Sequence, residues 1–409
     1  MKILWLFSED YPFGRGEETF IPPELPELAK HFSVTIISTN LVDPQTSALP
    51  DGIRAVRNDT RGIARKIMGR IRALFSPVFY REILRIMKSR KHIIKNILWA
   101  WSWFSIADHS VRSLSGLLRE SKPDVVYCFW RRPYLLGALL HRKRLGNPLI
   151  IARAHRKDLY DESAHFGQQV FGMEVDRMID KMFLISRSGC DYYLNTYSVS
   201  DPHKCRVAYL GTPEPERMQE YAYSDIMRVF SCCYLIPRKR VHLIIEALSL
   251  IKDRKVEWVH AGGGELEGEL RALAAEKLAD NVTYKLLGTV PNKDVRAQLV
   301  NFSYDCFLTA SESEGLPVTA MEAASYGLPA VAPAIDGIPE VVTPESGILL
   351  PANPTPEEIA DALIRIKDMP REEYMSMRAA ARALWEDKFR ASVNAKRFTE
   401  KIVKMMEER

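Results

Sequence analysis

The sequence contains no apolar run approaching the roughly 18 residues that a bilayer-spanning helix needs, so no such helix is expected. Its six cysteines (Cys128, Cys190, Cys205, Cys232, Cys233 and Cys306) include no Cys-x-x-Cys pair and no histidine spaced to complement one. That pattern removes zinc-finger and dithiol redox designs, and leaves small core residues in a reducing cytoplasm. No Asp-x-Asp closes an apolar strand, so no carboxylate pair is presented to a divalent ion. No repeat with a period of about 20–50 residues is present, which excludes solenoids. The apolar start, Met1–Ser8, is short and ends at Glu9 and Asp10, as a buried first strand does and a signal peptide does not.

One segment lacks acid. Residues 61–95 hold eleven Lys or Arg and a single carboxylate, Glu82, a local charge of +10 in a chain whose total is +5. The basicity therefore has a local cause. Apolar residues recur at helical spacing through it, at Ile63, Ile67 and Ile71, then at Ile83, Ile86 and Met87, and the segment runs into Trp99, Trp101, Trp103 and Phe104. Apolar face, cationic face and aromatic cluster over residues 61–104 describe helices lying on an anionic membrane surface. The competing expectation is a core-packed helix with a solvated basic outer face. Nucleic acid is not expected as a partner, because no DNA- or RNA-binding motif accompanies the charge.

The remaining chain alternates strand and helix. Residues 2–8, 33–38, 124–129, 148–152 and 181–186 read as strands, with a glycine turn (Gly14, Arg15, Gly16) after the first and a helix over 17–32. After the Pro- and Glu-rich linker 211–216 the alternation restarts, with strands at 228–235, 256–261, 282–287, 304–309 and 330–333. Alternation of this kind predicts α/β architecture: two Rossmann-like domains with parallel, doubly wound sheets facing a cleft, and ligand sites at the strand C-termini. The expected domains are 1–210, with a final helix at about 388–409, and 211–387. At 409 residues, two domains of roughly 200 residues each are also what length predicts.

The densest local pattern is residues 313–327, which opens Ser313-Glu314-Gly315-Leu316-Pro317 and closes at Gly327. Proline suits the start of a helix and glycine its left-handed end. The amides of Gly315, Leu316, Val318 and Thr319 would face an anion such as phosphate at the helix N-terminus. Glu314 and Glu322 flank that cradle and could accept hydroxyl hydrogen bonds, a combination suited to a nucleotide-sugar. The string resembles the Glu-x7-Glu signature of retaining GT-B glycosyltransferases of family 4. Gly327-Leu328-Pro329 and Asp336-Gly337-Ile338-Pro339-Glu340 continue the resemblance in register.

The resemblance implies several roles. Glu314 would position the transferred sugar, and Glu322 would hold the ribose. His155, in a His-x-x-Asp-Leu element that here reads His155-Arg156-Lys157-Asp158-Leu159, would approach the sugar from the first domain. Arg156 and Lys157 make that element unusually basic, as an anionic acceptor would require. Lys239 matches the family's diphosphate lysine, whereas its arginine position falls on Tyr234, leaving Arg238 to compensate. Gly14 and Gly16 match the glycine loop near donor and acceptor, Gly262-Gly263-Gly264 is a comparable turn, and the base would meet backbone near Gly288-Thr289-Val290. By the same resemblance the donor is a UDP- or GDP-sugar, no cofactor or metal is needed, and the acceptor is a lipid-linked saccharide of a cell-surface polysaccharide. The location implied is the cytoplasmic face of the plasma membrane. Two other functions are set against it: a GT-B epimerase or phosphorylase, the latter disfavoured by the absence of a pyridoxal-phosphate lysine motif, and a non-catalytic membrane scaffold that binds a sugar nucleotide.

Overall fold

A computed structural model describes residues 1–14, 17–198, 201–218 and 221–409. The chain divides into two compact units, Met1–Leu210 with Ser392–Arg409, and Gly211–Ala391.

The first unit is built on seven strands: β1 (Lys2–Ser8), β2 (Phe32–Ser38), β3 (Arg54–Arg57), β4 (Val125–Cys128), β5 (Leu149–Ala154), β6 (Lys181–Leu184) and β7 (Cys205–Val207). Their order is β3-β2-β1-β4-β5-β6-β7, and every pairing is parallel. β1 reads as an unbroken apolar run because it lies mid-sheet, covered on both faces. β3 and β7 are edge strands of three or four residues, too short and polar to stand out in the sequence. The helix expected over 17–32 is only Leu25–Ala29. Residues 17–24 form turns instead, because the Glu17 side chain holds the loop after β1.

The second unit carries β8 (Met227–Cys232), β9 (Val256–Ala261), β10 (Val282–Leu286), β11 (Cys306–Leu308), β12 (Ala330–Pro333) and β13 (Gly347–Leu350), in the parallel order β10-β9-β8-β11-β12-β13. In each sheet the order reverses beside the first strand. β1 lies between β2 and β4, and β8 lies between β9 and β11. Loops leaving the C-terminal ends of such strands diverge to opposite faces and leave a crevice for a ligand.

Between β3 and β4 the first unit carries the helices Ile63–Ala73, Pro77–Ser89 and Ile93–Arg112, followed by the short helix Ser115–Glu120. They share a small apolar cluster of their own, with Phe79, Ile86, Trp103, Phe104 and Phe171. The aromatic run expected to face lipid is thus divided: Trp103 and Phe104 are core residues, and only Trp99 and Trp101 remain half-buried at the edge.

Candidate active site

In the second unit the β8 and β11 loops meet. The turn Pro237–Lys239 precedes the helix Val241–Leu250, with Arg240 between them at φ +48°. Arg240 donates to the carbonyls of Ala310 (2.7 Å), Ser311 (3.0 Å) and Ala352 (3.2 Å). It ties the two loops together and has little left for a ligand. Its neighbour points the other way: the Lys239 Nζ donates to Glu314 Oε1. Glu314 is set from behind, its backbone N–H donating to Asp336 Oδ2 at 2.9 Å. Arg238 contributes its carbonyl to the Glu312 amide at 2.8 Å, and its side chain is half-buried. Tyr234 is largely exposed.

The helix Val318–Ser325 starts at the end of this loop, with Pro317 as its N-cap and Gly327 at φ +63° beyond its C-terminus. Arg378 and Arg382 donate to the carbonyls of Tyr326 and Ser325 and complement its negative end. At its positive end the amides of Gly315, Leu316, Val318 and Thr319 have no acceptor among the described residues. Glu322, one helical turn in, is 1% exposed. Its Oε1 accepts from Asn292 Nδ2 at 3.0 Å, while Oε2 is buried without a partner. Burial pushes this carboxyl above its ordinary pKa, with the Asn292 hydrogen bond opposing. A buried carboxylate oxygen left unmatched is costly. Here it is an acceptor beside a row of free amides, the geometry for a hydroxyl next to a phosphate. Asn292, which orients Glu322, carries no signal in the sequence.

The triple glycine after β9 is closely packed within its unit. A Cβ on Gly262 would lie 1.9 Å from the Cys233 carbonyl oxygen, one on Gly263 2.5 Å from Thr289 Oγ1, and one on Gly264 2.4 Å from the Leu235 carbonyl oxygen. Close packing against the backbone at Gly262 and Gly264, and against Thr289 at Gly263, restricts these positions to glycine.

In the first unit, His155 caps the one-turn helix Arg156–Leu159 directly after β5. The Asp158 carboxylate receives the His155 amide at 2.7 Å and the Arg131 amide at 2.5 Å. The imidazole is buried against Trp130, with ring centroids 4.1 Å apart, and Phe129, at 4.9 Å. Neither of its nitrogens has a partner. Burial, with the charges of Arg153 and Arg132, drives its pKa well below the usual histidine range. The ring is therefore neutral near pH 7, able to exchange one uncharged hydrogen bond with a hydroxyl and unable to act as a cation.

Trp130 is itself held: its indole N–H donates to Glu17, whose carboxylate also receives the amides of Glu9 (3.0 Å), Asp10 (3.0 Å) and Tyr11 (2.8 Å). One buried glutamate thus shapes the β1 loop and fixes the ring against which His155 packs. Its place directly after the Gly14 turn is the only hint in the sequence. Gly14 is closely packed, since a Cβ there would lie 2.9 Å from Asn40 Nδ2. Arg15 and Gly16 lie outside the described residues. Arg156, expected to face an acceptor, is instead engaged by Glu162 at 2.6 Å, while Lys157 is exposed.

The basic segment also exposes apolar residues. Ile63 is 78% exposed, Phe75 82% and Ile94 76%, with Ile67, Ile71, Leu84, Met87 and Leu98 also exposed. The helix Ile63–Ala73 packs inward through Gly69 and Ala73, where a Cβ on Gly69 would lie 2.8 Å from Ser105 Oγ. A core-packed apolar face is therefore not what this helix has.

Residues 219–384 match the family model described as glycosyl transferases group 1. Among curated proteins, the amylovoran biosynthesis glycosyltransferase AmsK of Erwinia amylovora is 30% identical over 48% of this chain and 50% of its own. The putative colanic acid biosynthesis glycosyltransferase WcaL of Escherichia coli K12 is 30% identical over 41% and 42%. A GDP-mannose-dependent monoacylated alpha-(1-6)-phosphatidylinositol monomannoside mannosyltransferase of Corynebacterium glutamicum is 28% identical over 46% and 51%. The chain thus spans about half the length of the curated relatives it matches. Among solved structures, sucrose-phosphate synthase of Thermosynechococcus elongatus superposes over 100% of both chains, with TM-score 0.73 and 15% identity. The lipopolysaccharide outer core galactosyltransferase WaaB covers 99% and 100%, with TM-score 0.67 and 17% identity. These likenesses show the fold expected from the motif, that of the GT-B glycosyltransferases.

Proposed function

We propose that the chain, whose residues 219–384 match the family model of glycosyl transferases group 1, transfers a sugar, with retention, from a UDP- or GDP-sugar to a lipid-linked saccharide in cell-surface polysaccharide synthesis. The observation that carries this is the convergence at the β8–β11 switch point: four free amides, the Lys239–Glu314 pair, and a buried Glu322 with one oxygen unmatched. The amides and Lys239 receive the donor diphosphate and stabilise the charge that develops on it as the glycosidic bond breaks. With Lys239 drawn to phosphate, Glu314 is released toward the sugar hydroxyls. Glu322 takes the ribose. The departing diphosphate accepts the proton of the attacking hydroxyl on the same face, so no protein nucleophile is needed. Neutral His155, held by Trp130 and Asp158, hydrogen-bonds the transferred sugar. Charge stabilisation by the amides and Lys239 would take the place of a metal ion at the diphosphate.

The lipid-linked acceptor is supported by the outward apolar and cationic residues of segment 61–98, and by one relative's name, which specifies a phosphatidylinositol glycolipid. The same surface supports residence on the cytoplasmic face of an anionic membrane; the described helices include none long and apolar enough to cross it.

Thermal-shift titration against UDP- and GDP-sugars is the test. A bound donor at about 100 times its dissociation constant adds about 2.7 kcal/mol of stability. Glu322→Ala should weaken nucleotide binding at least tenfold, since a hydrogen bond to a charged group contributes about 1.5–3 kcal/mol. Equal affinity in variant and wild type removes the ribose role, and no stabilisation by any nucleotide-sugar removes the function.

A further inference from the structure

A cavity of about 820 Å³ opens in the first unit where the turn between the helices Pro77–Ser89 and Ile93–Arg112 meets the loop at 161–167. That volume suits a small ligand with several polar groups. Arg90, Lys91 and His92 stand in a row on its wall. All three are exposed, and among the described residues none has a side-chain partner. The two acids of the wall are already engaged. Glu162 pairs with Arg156 at 2.6 Å, and Asp161 Oδ1 accepts the Gln169 amide at 2.8 Å and the Tyr197 hydroxyl at 2.6 Å. The lining also includes Phe166, which lies against Trp99, with ring centroids 6.4 Å apart, and under the Lys95 ammonium at 5.9 Å. Ile94 and Leu98, on the same helix as Trp99, are exposed. The cavity thus brings unpaired cations and an aromatic ring into one lining, beside a helix that exposes apolar residues.

We propose that this cavity binds the phosphate or diphosphate ester of a lipid-anchored acceptor, with Arg90 and Lys91 on the phosphate oxygens and Phe166 against the first carbons of the chain. Two adjacent cations suit a diphosphate's multiple charges and several acceptor oxygens better than a single carboxylate. The site rests on the lipid-linked acceptor proposed above, and goes beyond it by naming where the lipid's anionic group is held.

The test is calorimetric titration of the full chain with farnesyl diphosphate, a soluble prenyl diphosphate, with no sugar donor present. The wild type should bind it, in preference to inorganic pyrophosphate. Arg90→Ala combined with Lys91→Ala should weaken binding at least tenfold. Thr196→Phe, which narrows the cavity and keeps both cations, should weaken it similarly while leaving binding to phosphatidylglycerol vesicles within twofold of wild type. That arm separates an acceptor ester from a phospholipid headgroup. The proposal is overturned if the wild type does not bind farnesyl diphosphate, if the double variant binds within twofold of wild type, or if Thr196→Phe loses vesicle binding in parallel. The transferase function fails in a different assay, nucleotide-sugar titration, so the two outcomes are distinguishable.

Discussion

At the scale of single residues, neighbours with the same charge do opposite work. Lys239 and Arg240 are adjacent cations, yet only Lys239 meets the candidate site through Glu314, while Arg240 is bound to three carbonyls. Replacing each by Ala should separate the roles. Lys239→Ala is expected to lower kcat/KM by roughly 30-fold or more, about 2 kcal/mol of transition-state stabilisation, with little change in Tm. Arg240→Ala is expected to lower Tm, since it leaves loop carbonyls unmatched, and to affect turnover mainly through that loss. Steady-state kinetics and thermal melts on the pair check this; Lys239→Ala kinetics within twofold of wild type would remove that lysine from the site. The candidate glutamates were legible because a lone charge in an alanine-rich segment stands out. Glu17, Trp130 and Asn292 were not. Each acts by contacting a residue far away in sequence, at separations of 113 positions for Trp130 and Glu17 and 30 for Asn292 and Glu322.

At the scale of elements, the first of the basic helices departs from ordinary amphipathic packing. The helix Ile63–Ala73 buries glycine and alanine and exposes isoleucine. Not every cation is free for lipid: Arg72 and Arg112 pair with Asp108, at 2.7 and 2.9 Å, and Arg81 with Glu174 at 2.7 Å. Although burial pushes the Asp108 carboxyl up, hydrogen bonds from His141, Arg112 and Arg72 hold it well below the usual carboxylate range. A test of membrane docking should therefore spare Arg72. Charge reversal of Arg65, Lys66 and Arg70 to Glu should release the protein from anionic vesicles without lowering Tm, each cation near such a surface contributing about 1 kcal/mol. Binding should also weaken with salt, because screening acts within about 10 Å at 0.1 M. Cosedimentation indifferent to lipid charge would return the segment to a solvated surface. Helix spacing in this segment was readable, but periodicity alone does not say which way an apolar stripe points.

At the scale of the molecule, the chain leaves its first unit near Gly211 and returns to it at Ser392. The last helix, Ala391–Glu407, completes that unit's core rather than decorating it. Phe398 lies against Tyr127, with centroids 5.1 Å apart, and Phe183, at 5.0 Å, and the Arg153 guanidinium carbon sits 4.4 Å from its ring centre. Arg153 in turn forms a buried pair with Glu24. Phe398→Ala should cost about 3–5 kcal/mol, the usual range for a buried aromatic, in the unfolding of the first unit alone. Urea denaturation followed by hydrogen exchange, which reports each unit separately, checks it. Equal loss of protection in both units, or none, would contradict the assignment of this helix to the first unit's core.

Sequence alone determined the alternation of strand and helix, the two sheets, and the strip from Glu314 to Gly327, because periodicity, helix-end chemistry and short-range spacing are local properties. Tertiary structure decided what local pattern does not encode. It buried Glu322 with one oxygen unmatched, held His155 neutral against Trp130, and packed the glycines after β9 closely against their neighbours. It also turned the apolar stripe of the first basic helix outward. The physical reason is common to all four: burial and orientation depend on which distant residues arrive alongside, and strand order, not spacing along the chain, brings them there.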